Sequence, residues 1–104
     1  MTLNKRERAA TGEEQRANLE LAGLSEADLQ RTLGMDDDRV SAALDVTSAD
    51  PIDVWLVRDY LERMVLERGR EPRPYTVLTP AARASAEKWF ALYDLDEVLK
   101  ESAS

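Results

Sequence analysis

Asp36, Asp37 and Asp38 form the longest run of like charge in the chain, and a hydroxyl follows at Ser41. Three adjacent carboxylates have a short menu of chemistry. They can hold a hard cation, accept hydrogen bonds from donors such as a cytosine amino group, or complement the positive end of a helix. The calcium reading fails on spacing. A calcium loop counted from Asp36 needs glycine at its sixth position and glutamate at its twelfth, and the chain has Ser41 and Thr47 there. Helix capping is the simplest role, each carboxylate contributing about 0.3–1 kcal/mol at a helix start.

A second set of residues is apolar. Trp55 and Leu66 interrupt an otherwise charged stripe of Arg58, Asp59, Glu62 and Arg63. On a helical wheel the opposite face carries Val54, Leu56, Val57, Tyr60, Leu61, Met64 and Val65, the pattern of a core helix. Trp55 and Leu66 must therefore be covered by another part of the same chain or by a second subunit. Tyr75 lies between prolines and a Thr-Val-Leu run, in a segment that could cross a helical bundle as a strap or pair as a short strand with a symmetry mate. The candidate interaction residues are thus Asp36, Asp37, Asp38, Ser41, Trp55, Leu66 and Tyr75.

Catalysis finds little support. The chain contains no histidine and no cysteine. That removes imidazole bases, thiolate nucleophiles, disulfides and thiolate or imidazole metal sites. Lys88 and Lys100 have only Ser85 and Ser102 as nearby hydroxyl partners, and no glycine-rich phosphate loop is present. A pocket between Tyr60, Trp89 and Tyr93 would lack a polar group to orient a ligand. The expectation is a protein that is not an enzyme and uses no cofactor and no metal.

The elements that must position these residues are marked by caps and breakers. The chain has 104 residues, enough for one domain spanning 1–104, with 1–10 and 102–104 expected as mobile ends. Asn4 with Glu7 starts a short helix to Ala10, and Thr11-Gly12-Glu13-Glu14 reads as a capping box for a second helix ending at Gly23. Ser25 with Asp28 opens a helix that stops at Gly34. The next runs from Asp36 or Asp37 to about Val46. Asp50-Pro51 and Thr79-Pro80 each place a cap before a proline in the first turn, predicting helices over 51–68 and 80–93. Pro72 and Pro74 exclude regular helix over 70–79, with Tyr75–Leu78 extended. A last turn or two follows over 94–101. The fold class is all-α, with five or six helices.

Residues 25–44 have the layout of a helix-turn-helix, a repressor-like unit. Gly34 sits at the turn, Leu29 and Leu33 face inward from the first helix, and Met35, Val40, Ala43 and Leu44 follow. Gln30 is a departure, because a small residue usually precedes the turn glycine by four positions. Charge is a second departure. In a DNA reader the start of the second helix enters the major groove, and here it carries Asp36–Asp38. Residues 25–50 hold two basic groups against seven acidic ones, a net of −5 within a chain of net charge −7. Phosphate contacts need Lys or Arg. The basic groups Lys5, Arg6 and Arg8, and Arg68, Arg70 and Arg73, lie elsewhere and are mixed with glutamates.

Several stretches together resemble a bacterial family, domain of unknown function 2316. They are Met1-Thr2-Leu3-Asn4, Thr11–Asn18, Gly23-Leu24-Ser25, the run DVWLVRDYL at 53–61, and PRPYTVLT at 72–79 followed by Trp89-Phe90. The resemblance spans most of the chain, with Ala81–Lys88 departing from the family's pattern. It implies a helix-turn-helix-like fold and carries over no functional residues. The expected function is a non-catalytic regulatory or protein-interaction module whose partner is another protein or a second copy as a homodimer. The alternative is a DNA-binding transcriptional regulator, disfavoured by charge. With a charged N-terminus and no long apolar run, neither secretion nor membrane insertion is expected, and the expected location is cytoplasmic.

Overall fold

Local capping chemistry starts most of the helices. The computed structural model describes residues 3–47, 50–89 and 95–103, and all of its regular structure there is helical. Helix α1 (Lys5–Ala22) begins with a reciprocal box: the Glu7 N–H donates to Asn4 Oδ1 at 2.8 Å and the Asn4 N–H donates to Glu7 Oε1 at 3.0 Å. Helix α2 (Glu26–Leu33) has the same device in Ser25 and Asp28. Gly34, in the left-handed region, closes α2, and only Met35 and Asp36 separate it from α3 (Asp37–Asp45). Pro51 occupies the first position of α4 (Pro51–Glu67), where its missing N–H costs nothing, and Asp50 caps the Ile52 N–H. The Ala82 N–H donates to the Thr79 hydroxyl at the start of α5 (Pro80–Trp89), and α6 (Leu95–Ala103) follows.

Two sequence expectations are corrected. Asn4–Ala10 is not a separate helix, and Thr11-Gly12-Glu13-Glu14 is not a helix start; both lie inside the single helix α1. The Thr11 hydroxyl donates to the Glu7 carbonyl four residues back, as a mid-helix threonine does. Gly12 is small for a tertiary reason. A Cβ at this position would lie 3.2 Å from the Asp45 carbonyl oxygen at the end of α3. The final segment, expected as helix over 94–101, is α6 and runs two residues further, to Ala103. The expected continuation of α5 through residues 90–93 lies outside the described residues, as does Ser104.

Helix α4 is the axis of the fold and packs against α1, α3 and α6, while α1 also packs on α3 and α2 on both α3 and α6. Its two sides feed two apolar clusters. The larger joins Leu19, Leu29, Leu33, Met35, Val40, Ala43 and Leu44 to Leu56, Val57, Tyr60 and Leu61. Complete burial of a leucine such as Leu29, Leu44 or Leu61 stabilises the fold by about 1.5–3 kcal/mol. The smaller joins Val46, Val54 and Trp55 to Tyr75, Leu78 and Ala86. Val46 ends α3 at φ 55°, a left-handed conformation that β-branched residues rarely adopt. Burial of its side chain in the smaller cluster offsets that strain. The radius of gyration, 12.7 Å, matches the ~13 Å of a folded domain of about 100 residues.

Candidate functional site

The aspartate run sits where the sequence places it, at the start of α3. Asp36 is the cap, its Oδ1 accepting the Arg39 N–H at 2.8 Å. Asp37 accepts from the Gln30 side-chain amide at 3.3 Å. That contact explains how α2 accommodates Gln30: its side chain reaches along the surface to α3 instead of entering the packed interface. Asp36, Asp37 and Asp38 are exposed and Ser41 is half-buried. The arginines of α3, α2 and the facing part of α1 are engaged by other carboxylates. Arg39 makes a two-pronged pair with buried Asp53 on α4, Nε to Oδ2 at 3.1 Å and Nη2 to Oδ1 at 2.8 Å. Arg16 on α1 spans Asp45 at 2.9 Å and Glu26 at 3.1 Å, and its pairing with Asp45 raises the pKa of the guanidinium above its ordinary value. Arg31 pairs with Asp28 on its own helix. Asp28 itself is held below the usual carboxylate range, mainly by hydrogen bonds from the Ser25 backbone and hydroxyl.

Residues 73–78 cross the molecule as a strap, one of the two arrangements the sequence offers; the partners that hold it, mostly side chains of α1, are not visible there. The Arg73 N–H donates to Asn18 Oδ1 at 2.7 Å, and Asn18 Nδ2 donates to the Arg73 carbonyl at 3.1 Å. Glu14 accepts from the Thr76 N–H at 3.1 Å and the Thr76 hydroxyl at 2.8 Å. Gln15 accepts from the Tyr75 phenol at 2.7 Å and donates to the Val54 carbonyl at 3.4 Å. Glu14, Gln15 and Asn18 are all buried. An extended backbone cannot satisfy its own polar groups, so these side chains stand in for a neighbouring strand. The strap therefore docks within the chain, and the symmetry-mate strand pairing is set aside. Burial pushes the Tyr75 phenol above its ordinary pKa, keeping it a hydrogen-bond donor.

Trp55 and Leu66 part company. Trp55 is 5% exposed, covered by its own chain through Tyr75, Leu78, Ala86, Leu3 and Ala82. The Arg58 and Arg83 guanidinium groups lie 5.8 and 5.6 Å from its ring centroid, and Arg58 is also 4.8 Å from that of Tyr75. Arg58 is buried despite its charge because it donates to the Leu78 carbonyl at 3.1 Å and pairs with Asp59 and Glu62. Arg83 pairs with Asp59 and Glu87. Leu66, by contrast, is 58% exposed. It borders an open groove of about 890 Å³ between the outer face of α4, Pro74 and Tyr75 of the strap, Pro80 and Arg83 at the start of α5, and Leu95 of α6. The seven sequence candidates thus fall into two groups. Asp36, Asp37, Asp38 and Ser41 lie in the first half of α3 or at its cap, while Trp55, Tyr75 and Leu66 all line the groove, the first two buried and Leu66 exposed. The aromatic pocket expected between Tyr60, Trp89 and Tyr93 lies partly outside the described residues. Among the described residues no group of acidic side chains is arranged to hold a metal ion, and no helix is long and apolar enough to cross a membrane.

These features define a small all-α domain organised on a central helix, with a polar strap seam on one side and an acidic helix start on the other packed unit. The chain belongs to DUF2316, a family of uncharacterized proteins conserved in bacteria, whose profile matches residues 1–91. No curated protein and no solved structure matches it.

Proposed function

We propose that this protein is a non-catalytic, helix-turn-helix-like module of the bacterial cytoplasm that acts through protein contacts, with another protein or with a second copy of itself, and not by reading a nucleic-acid groove. One observation carries this reading. The start of α3, where such a fold would meet base edges, exposes three aspartates, and Arg39 in its first turn and Arg31 on α2 are each paired with a carboxylate. Approach to duplex would bring carboxylates toward phosphates and would have to break those pairs to free a cation. A bidentate base contact contributes about 1–3 kcal/mol, and uncompensated negative charge at the same surface opposes it.

The test is anisotropy of labelled genomic duplex fragments at low salt. The reading predicts no sequence-selective binding. Selective binding that disappears on Arg39→Ala or Ser41→Ala would contradict it. The second reading, a DNA-binding transcriptional regulator, has one observation in its favour: Lys5, Arg6 and Arg8 are exposed on the first turn of α1. It predicts binding with a steep salt dependence that survives Ser41→Ala and is lost when those three residues become alanine.

A further inference from the structure

We draw no further inference here: the strongest candidate, the open groove beside exposed Leu66 between the outer face of α4, the strap and the start of α5, is a partly apolar face, and nothing in the structure shows what covers it.

Discussion

The start of α3 and the seam between α1 and the strap are both built from carboxylate and amide side chains, yet they differ in kind. At α3 the carboxylates face water, and Asp36 and Asp37 touch only their near neighbours in the chain. At the seam Glu14, Gln15 and Asn18 are buried, and each bonds to a residue more than fifty positions along the chain, at Arg73, Tyr75 or Thr76. The difference teaches that residue type alone does not tell a binding surface from a structural joint. Water competes for every hydrogen bond at α3, so each contributes little. At the seam a lost partner leaves a buried polar group unsatisfied, which costs about 1–3 kcal/mol.

The contrast can be broken most forcefully at Tyr75. Tyr75→Ala removes a buried ring from the smaller cluster and the hydrogen bond to Gln15, and is expected to lower stability by about 3–5 kcal/mol in urea unfolding. Asn18→Ala strands the N–H and carbonyl of Arg73, with an expected loss of about 1–3 kcal/mol and accelerated amide exchange in the strap. A loss under half a kcal/mol at either residue would mean the seam contributes no more than the exposed surface does. At α3, Asp36→Ala removes a cap and is expected to cost about 1 kcal/mol. Asp38→Asn, with no cap to lose, should change stability by only a few tenths of a kcal/mol through the helix dipole.

The smallest effect concerns pH. The carboxyl of Asp28 is held below its unfolded value by Ser25. A depressed acid contributes stability that is present above its unfolded pKa and is lost as pH falls through the folded one. Acid titration of the Asp28 carboxyl by NMR should therefore show a midpoint below the ordinary aspartate value of 3.8, moving up in Ser25→Ala. An unchanged midpoint in that variant would remove Ser25 as the cause.

How much of this was legible depends on whether the cause was local. Asn4 with Glu7, Ser25 with Asp28, Asp50-Pro51 and Thr79-Pro80 announce helix starts because the cap and the group it satisfies lie within three residues. The Thr11–Glu14 run carries the same letters without the function. Residues 5–10 are already helical, so no orphan donors remain for it to cap. Its true causes are distant: Gly12 makes room for the Asp45 carbonyl, and Glu14 holds Thr76. The same limit explains Trp55. Its place on a charged stripe is visible in the sequence, but the strap and α5 residues that cover it are brought there only by the fold. Val46 shows the limit most sharply, since a left-handed helix end favours glycine or asparagine and only tertiary burial holds valine there.

The central claim is that the start of α3 does not meet nucleic acid. Isotope-labelled protein titrated at low salt with a pool of genomic duplex tests it residue by residue. The account predicts that the backbone amides of Asp36–Ser41 keep their chemical shifts throughout the titration. Saturable shifts concentrated on those amides, reversed by added salt, would contradict it.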